Sequence, residues 1–437
     1  MPDPYPTQID GARWLSSRRR ALLADQPRVG KTGTAILAAD DRFHDSILVV
    51  TTASGRAVWR RAFGQWSVFR RDNLRIIGWA ELNNLKTRAE LLSRHWDLLI
   101  LDESHYGASF GAKRTQAVYG IPDGDGEHLL NAKALYAHAS NVWCLSGTPI
   151  PHDPSNLYPM MRALCPERLR ANPSKDWPDV TKFEDFRDRY CRWRPKKLNN
   201  WRTIIVIMGG KNEAELAERL DGFVLRRTQQ DVGIRPPVYE TLPLAVTPAM
   251  LRQVEGNIDR VAVLEAAREG NTKSLDMHLG PLRRLTGEAK ARAVIEAVVD
   301  EFENGLDKIV LAYWHKDVGK ILLDGLVKYG VTGIDGSSSP AARDGAEQRF
   351  LNDPECRVFL AQIEAAGEAI DLSSAAMLWF VESVFSPRSM SQMSLRITNH
   401  SQARQCFVRV CVLENSIDEA VNESLMRLWA SIREVLK

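Results

Sequence analysis

Several kinds of segment are missing from this sequence of 437 residues. No apolar run approaches the roughly 18 residues that a membrane-spanning helix needs, and the opening letters MPDPYPTQIDGARW show no signal-peptide pattern. Internal repeats of about 20 to 50 residues and low-complexity tracts are also absent. We therefore expect an intracellular protein without a membrane partner. The compact chain suits the cytoplasm of a bacterial or phage-infected cell, or the nucleus if the source is eukaryotic, and we expect a monomer.

Cysteine is scarce, and its spacing does not suggest a metal site. The six cysteines never form a Cys-x-x-Cys pair, so the sequence signals neither a structural zinc site nor a disulfide framework. We expect reduced and mostly buried thiols. They are Cys144, Cys165, Cys191, Cys356, Cys406 and Cys411.

The whole chain also lacks a strong excess of one charge, because 58 basic residues accompany 55 acidic ones. The distribution is uneven: from Thr286 onward there are 16 basic and 22 acidic residues, so the positive excess lies before that point. A basic first part suits a polyanion such as nucleic acid, although solvated charged faces produce the same count.

Short β-rich apolar runs alternate with helical patterns in both halves of the chain. SILVV, LRII, DLLILDE and NVWCLSG in the first half are typical of parallel strands buried on both faces. The alternation resumes with KIVLAYW and ends in a helical pattern over 416–437. The sequence therefore predicts an α/β fold with two doubly wound parallel-sheet lobes in tandem, helical insertions and a closing helix that packs on the rest.

We place the domain boundaries where the composition changes. The first lobe covers 1–235, of which 151–235 is expected to decorate the sheet rather than to form it. A linker and helical segment covers 236–285, because the Pro-Pro of GIRPPVYETLPL cannot lie inside a helix. The second lobe covers 286–437.

Two motifs in the first lobe indicate nucleotide chemistry. LLADQPRVGKTGTA brings a turn to the start of a helix at Gly30, Lys31 and Thr32, where free N–H groups, an ammonium and a hydroxyl suit phosphates and Mg²⁺. Asp25 occupies the first glycine position of a strict P-loop, so a helix cap is the alternative. WDLLILDESH places Asp102 and Glu103 at a strand end, where they suit a metal and an attacking water. This second motif favours ATP and Mg²⁺ as cofactors.

At these motifs the chain resembles superfamily 2 helicases and translocases, in particular the SMARCAL-type annealing-helicase branch of the Swi/Snf-like group. YPTQIDGARWL resembles its adenine-reading segment, LADQPRVGKT its P-loop ADEMGLGKT, VVTTASGRAVWRRAF motif Ia, LDESH the DEAH form of motif II, and LSGTP motif III. FVLRRTQQDV resembles a later part of the same lobe. KIVLAYWH, GIDGSSSPAAR, AAGEAIDLSSA and QMSLRITNHSQ follow in the order of motif IV, its next segment, motif V and motif VI.

The resemblance implies two RecA-like lobes with ATP and Mg²⁺ in a cleft between them, and a motor that moves along duplex DNA and remodels forked or branched DNA. The implied catalytic residues are Lys31, Glu103 and Arg396. The implied nucleotide-binding residues are Tyr5, Gln8, Arg28, Gly30, Lys31, Thr32, Asp102, Gly367 and Asp371, with Thr32 and Asp102 on Mg²⁺.

DNA contacts are expected from residues that track phosphates without reading bases. They are Thr52, Ser54, Arg56, Lys113, Arg114, Ser337, Ser338 and Gln362. For any one serine a plain turn or helix cap is the alternative. The run RYCRWRPKK interleaves basic and aromatic residues and is either a further grip on DNA or a solvated loop.

The chain departs from the family pattern at three places. Arg28 replaces a glycine of the P-loop, Gly367-Glu368-Ala369 lacks the second glycine of motif V, and Asn399 replaces the second arginine of motif VI. Loss of such an arginine finger can cost on the order of 10³ in rate, unless Arg28 or Arg404 compensates. Two alternatives to the duplex translocase stay open: a strand-separating helicase, and an ATP-gated DNA-binding module with weak hydrolysis.

Overall fold

A computed structural model describes most of the chain. The described residues are 2–53, 55–120, 134–151, 153–199, 202–245, 272–366, 370–382, 387–400, 402–414, 416, 418, 419, 422 and 423. They divide into two compact units, the first within Met1–Trp193 and Gly209–Val232 and the second within Arg194–Met208 and Gly233–Ala430.

The first unit is built on a parallel sheet of six strands in the order β3-β2-β4-β5-β1-β8. Its strands are β1 (Arg20–Leu23), β2 (Ile47–Thr51), β3 (Leu74–Gly78), β4 (Trp96–Asp102), β5 (Ala139–Leu145) and β8 (Val224–Leu225). The central strands contain continuous buried apolar runs, such as 47–50 and 98–101, because both faces of the sheet are covered. All carboxyl ends of a parallel sheet lie at one edge, so this sheet brings the ends of β1, β2, β4 and β5 together.

In the first unit, one helix precedes the first strand, and the others lie between successive strands. They are α1 (Pro6–Ser16), α2 (Lys31–Asp41), α3 (Gly55–Trp66), α4 (Leu85–Leu92), α5 (Lys113–Tyr119), α6 (Tyr158–Leu164), α7 (Phe183–Tyr190) and α8 (Glu213–Leu220). Between α7 and α8 the chain forms a two-stranded ribbon of β6 (Cys191–Asn199) and β7 (Arg202–Gly210).

The second unit has its own six-stranded parallel sheet in the order β11-β12-β10-β13-β14-β9. Its strands are β9 (Val238–Leu244), β10 (Ile309–Tyr313), β11 (Val331–Ile334), β12 (Val358–Gln362), β13 (Met377–Phe380) and β14 (Phe407–Leu413). Its helices are α9 (Thr272–Glu303), α10 (Lys316–Leu326), α11 (Pro340–Asn352), α12 (Ile363–Ala366) and α13 (Pro387–Ser394). Two all-parallel sheets covered by helices confirm the predicted α/β fold class.

Two predictions about the connecting segments are wrong in part. Val238–Leu244, predicted as linker, pairs in parallel with β14 at the edge of the second sheet. An edge strand tolerates Pro243 and is exposed along much of its length, so its sequence lacks the apolar run of a central strand. Val224–Leu225, predicted to lie outside the sheet, pairs with β1, and two residues are too few to show a periodicity.

Three further predictions concern the cysteines, membrane-spanning helices and the closing helix. All six cysteines are free and buried, as predicted. In the described part of the chain, no helix is both long enough and apolar enough to cross a membrane. The predicted closing helix over 416–437 lies almost entirely outside the described residues.

Candidate active site

The loop between β1 and α2 joins the end of a buried strand to the start of a helix, as predicted. α2 begins at Lys31, and Gly30 caps it in the left-handed region with a φ of +100°. The first turn of such a helix presents backbone N–H groups that suit a phosphate. Lys31 Nζ donates to the carbonyl oxygens of Asp25 at 2.7 Å and Gln26 at 3.2 Å. The ammonium therefore lies against the same loop.

Arg28 adopts the backbone conformation of the glycine that it replaces. Its φ is +72°, in the left-handed region, which costs a residue with a Cβ about 1–2 kcal/mol. The substitution therefore keeps the path of the loop glycine-like, at a cost in backbone strain. A compensating role for the charge of Arg28 stays a prediction.

Gln8 connects helix α1 to the loop through both ends of its amide. Its Oε1 accepts a hydrogen bond from the Tyr5 backbone N–H at 2.9 Å, and its Nε2 donates to the Gly30 carbonyl at 3.2 Å. Its side chain is buried, and a Cβ on Gly30 would lie only 2.5 Å from Nε2. Here the amide positions the loop, and base recognition by Gln8 stays a prediction. Tyr5 is about half exposed, at 48%.

Asp25 is held by Arg227, which lies in the FVLRRTQQDV motif and for which the sequence predicted no role. The Asp25 side chain is fully buried and forms an ion pair with Arg227. The Arg227 backbone N–H donates to Oδ1 at 2.9 Å, and its Nε donates to both carboxylate oxygens at 3.1 Å. Arg227 also donates to the Thr7 carbonyl before α1 has completed its first turn. One guanidinium therefore ties the P-loop to helix α1.

Asp102 ends β4 beside two donors from neighbouring elements. Thr51 Oγ1 donates to Asp102 Oδ2 at 2.6 Å, and Trp59 Nε1 donates to the same oxygen at 2.8 Å. Oδ1 is then the candidate ligand for a metal. Burial, and after it the negative charge of Glu103, raise the pKa of Asp102 from 3.8 to about 6, although the two hydrogen bonds and Lys31 oppose the shift.

Glu103 follows with a φ of +49°, a strained conformation for a residue with a Cβ. Its Oε2 lies 3.2 Å from His105 Nδ1, which in turn lies 2.9 Å from Ser146 Oγ. Ser146 Oγ also accepts a hydrogen bond from the Thr148 backbone N–H at 3.2 Å. The LDESH and LSGTP motifs are therefore joined through His105 and Ser146, two residues whose roles the sequence analysis missed although it quoted both motifs.

Mg²⁺ fits the donor set that these elements bring to the sheet edge. The Asp102 carboxylate and the Thr32 hydroxyl are hard oxygen ligands, and protein-bound Mg²⁺ usually has few of these and keeps several waters. The raised pKa of Asp102 also fits, because burial and an adjacent carboxylate oppose a negative charge that a divalent cation would stabilise. Thr32 is half-buried in the first turn of α2.

The residues of the first unit that are predicted to contact DNA differ in their hydrogen bonds, ion pairs and exposure. Thr52 Oγ1 accepts the Gly55 backbone N–H at 3.1 Å and so acts as a helix cap, while Arg56 pairs with Glu81 at 2.9 Å. Arg114 Nε donates to the Tyr106 carbonyl at 2.6 Å. Lys113 is exposed at the start of α5. Ser54 lies outside the described residues, and the DNA contacts themselves stay predictions.

Ser337 and Ser338 lie in a tight turn after β11. Asp335 Oδ1 accepts hydrogen bonds from Ser337 Oγ at 2.6 Å and Ser338 Oγ at 3.2 Å, and these bonds lower the pKa of Asp335 to about 2. Gln362 joins the same turn to β10, because its Oε1 accepts the Gly336 N–H at 2.7 Å and its Nε2 donates to the Trp314 carbonyl at 2.9 Å. Within the protein, both serine hydroxyls therefore stabilise a turn, which was the alternative to a DNA contact.

The motif VI residues pack against the segment that follows motif V. Asn399 Nδ2 donates to Ser373 Oγ at 2.5 Å, and Asp371 Oδ1 accepts the Ser373 N–H at 3.0 Å. Arg396 is buried, and its carbonyl accepts the Leu372 N–H at 3.1 Å.

Gly367 lies outside the described residues. Arg404, the second candidate for replacing the missing finger, pairs with Asp307 at 3.1 Å and donates to the Ser374 carbonyl at 2.6 Å. Asp307 and Ser374 precede β10 and β13, so this places Arg404 at the amino edge of the second sheet, opposite the Ser337 turn.

Comparisons with known proteins agree with these motifs. The family model described as SNF2-related domain matches residues 7–254, and the model described as helicase conserved C-terminal domain matches residues 289–400.

A Xenopus laevis protein, SWI/SNF-related matrix-associated actin-dependent regulator of chromatin subfamily A-like protein 1, is 27% identical over 450 residues, which are 99% of this chain and 43% of that protein. The Mus musculus DNA annealing helicase and endonuclease ZRANB3 is 24% identical over 461 residues, covering 98% of this chain and 39% of that protein. The chain thus spans less than half the length of these relatives.

Among solved structures, the Sulfolobus solfataricus SWI2/SNF2 ATPase core in complex with dsDNA aligns with 100% of this chain and 93% of that one, at a TM-score of 0.42 and 19% identity. Because the first family model matches more than half of the sequence, this chain belongs to the SNF2-related domain family.

Proposed function

We propose that the chain is a DNA-dependent ATPase that uses hydrolysis to move along duplex DNA and to remodel forked or branched DNA. The observation that carries the proposal is the meeting of the P-loop with Asp102 and Glu103 at the carboxyl edge of the first sheet. The positive charge of Lys31 lowers the pKa of Asp102, although burial and Glu103 outweigh it. Family membership supports the same assignment.

Each side chain at this edge has a chemical task in the proposal. The Lys31 ammonium and the N–H groups of the first turn of α2 bind the β- and γ-phosphates. Thr32 and Asp102 hold Mg²⁺, which when bound neutralises charge on the transferred phosphoryl group. Glu103 orients the attacking water and accepts its proton. His105, within reach of both Glu103 and Ser146, holds that carboxylate in place.

Support for DNA as the partner comes from the relatives and from the charge. One relative is named a DNA annealing helicase and endonuclease, and another a regulator of chromatin. The positive excess before Thr286 suits a phosphate backbone, and contacts to phosphates carry no base code, which suits movement over any sequence. Duplex or forked DNA is therefore the proposed substrate, in preference to single strands.

A second candidate function follows from Asn399. Its amide is engaged with Ser373 and lacks the positive charge of an arginine finger. If nothing replaces that charge, the chain binds DNA in an ATP-gated manner with weak hydrolysis, at a rate on the order of 10³ lower.

ATP turnover separates these functions. We would measure it without DNA and with single-stranded, duplex and forked DNA, for the wild type, Lys31→Ala and Asn399→Arg. The translocase predicts stimulation by duplex or forked DNA that Lys31→Ala abolishes; no stimulation by either DNA would refute it. Turnover near background that Asn399→Arg restores would instead establish the weakly hydrolysing module.

A further inference from the structure

The β6–β7 ribbon concentrates positive charge more than its surroundings. From Cys191 to Asn212 the sequence carries six basic residues and no acidic one, whereas the whole chain is almost balanced at 58 to 55. The six are Arg192, Arg194, Lys196, Lys197, Arg202 and Lys211. This segment is the RYCRWRPKK run extended through its partner strand, and no motif of the proposed ATPase uses it.

Three of these side chains are presented to solvent. Arg192, Arg194 and Lys197 are all exposed on β6. Because successive side chains of a strand point to opposite faces, Arg192 and Arg194 share one face and Lys197 lies on the other.

The spacing of these charges suits a nucleic-acid backbone. Residues two apart on a strand are separated by about 6.8 Å. One strand of a duplex advances about 3.4 Å of helix axis per phosphate, so Arg192 and Arg194 span two phosphate steps. A two-stranded ribbon is also narrow enough to enter the major groove of a duplex.

The Trp193 ring on β6 contacts another side chain of the protein. The Arg187 guanidinium lies 4.8 Å from the centre of the Trp193 ring, and Arg187 in turn pairs with Asp188 at 2.7 Å. The ring, which is 37% exposed, therefore packs against α7 at the base of the ribbon. A guanidinium already lies over this ring, so the exposed basic side chains of β6 suit phosphates better than this ring suits a stacked base.

We propose that the β6–β7 ribbon is an additional contact to duplex DNA, in which Arg192, Arg194 and Lys197 bind backbone phosphates without reading sequence. The inference rests on the proposed function, and it adds a binding element outside the motifs that resemble the family. The contact strengthens the hold on duplex DNA and leaves ATP hydrolysis to the sheet edge.

The salt dependence of duplex binding tests the proposal. Fluorescence anisotropy of a labelled duplex would be measured between about 50 and 200 mM salt for the wild type and for Arg192→Ala/Arg194→Ala/Lys197→Ala. Each lost phosphate contact lowers the slope of log K against log salt by about 0.9, so the three together lower it by about 2.7. Over this fourfold salt range the variant then loses about 40-fold less affinity than the wild type does.

A matched control removes three exposed basic residues outside the ribbon: Arg292→Ala/Lys320→Ala/Lys328→Ala. We expect its slope to equal that of the wild type, and we expect Arg192→Lys/Arg194→Lys to keep the wild-type slope because the charges remain. A ribbon variant with an unchanged slope, or a control that loses as much slope, overturns the ribbon contact alone. A wild type that does not bind duplex DNA overturns both the ribbon contact and the proposed function.

Discussion

The pH dependence of nucleotide binding with Mg²⁺ offers a quantitative test of the candidate site. Asp102 is buried, and burial together with the Glu103 charge raises its pKa from 3.8 to about 6. A carboxylate must lose its proton before it can ligate a metal, so binding through Asp102 releases a proton below pH 6. Affinity for the Mg²⁺-nucleotide should therefore be constant above about pH 7 and fall about tenfold for each pH unit below 6.

The same shift has a consequence for the metal-free protein. Because the pKa of Asp102 is higher in the folded state than in the unfolded state, protonation stabilises the fold. That stabilisation is complete below pH 3.8 and is lost as the pH rises through about 6. The difference between the two pKa values corresponds to about 3 kcal/mol.

A fluorescent ADP analogue titrated between pH 5 and 8 would measure this dependence, with a parallel series in EDTA to isolate the contribution of the metal. Glu103→Gln removes the adjacent charge, so the break in the affinity profile should move to lower pH. Asp102→Asn should bind weakly and lose the part of the break that Asp102 contributes; the terminal phosphate of the nucleotide, with a second pKa of about 6, contributes the rest in every variant. A break that Glu103→Gln leaves in place, or an Asp102→Asn profile with the same shape as that of the wild type, would refute the assignment of Asp102 as the titrating ligand.

Three further predictions follow from contacts around the same loop. Thr51→Val removes a donor to Asp102 Oδ2 and should move the same break to higher pH, opposite to Glu103→Gln; a downward shift would contradict the hydrogen bond. Arg227→Met leaves the Asp25 carboxylate buried without its ion pair and should destabilise the fold by about 3–5 kcal/mol in chemical denaturation, whereas Asp25→Leu/Arg227→Met should recover most of that loss. Gly30→Ala places a Cβ 2.5 Å from Gln8 Nε2 at a φ of +100° and should weaken nucleotide binding at least about tenfold, corresponding to roughly 1.4 kcal/mol. Its control is Gly64→Ala in α3, where the added Cβ meets nothing within 4 Å and nucleotide affinity should not change.

Local pattern was sufficient for the central strands and for the motifs. Ile47–Thr51, Trp96–Asp102 and Ile309–Tyr313 each contain a run of at least four apolar residues because they are covered on both faces, and that property is visible in a short window of sequence. Asp102 ends β4, and Lys31 follows β1 after a short loop, so a parallel sheet places both at its carboxyl edge. The fold class was therefore predictable without coordinates, and the roles of the candidate ATPase residues stay predictions.

Edge strands were not predictable in the same way. Val238–Leu244 is half exposed and contains a proline, so its pattern is that of a linker, and only pairing with Phe407–Leu413 makes it a strand. The decisive hydrogen bonds join residues about 170 positions apart in the chain. No local periodicity records such a pairing.

The residues that position the site depend on tertiary structure for the same reason. The sequence by itself determined the candidates for nucleotide chemistry: Lys31 and Thr32 at the start of a helix, and Asp102 and Glu103 at the end of an apolar strand. Only the tertiary structure decided what holds them. Arg227 lies 202 residues from the carboxylate that it neutralises, and Ser146 lies 41 residues from His105. A polar side chain shows its chemistry in the sequence, but its partner is chosen by burial, which removes water and makes a hydrogen bond or an ion pair the only way to satisfy it.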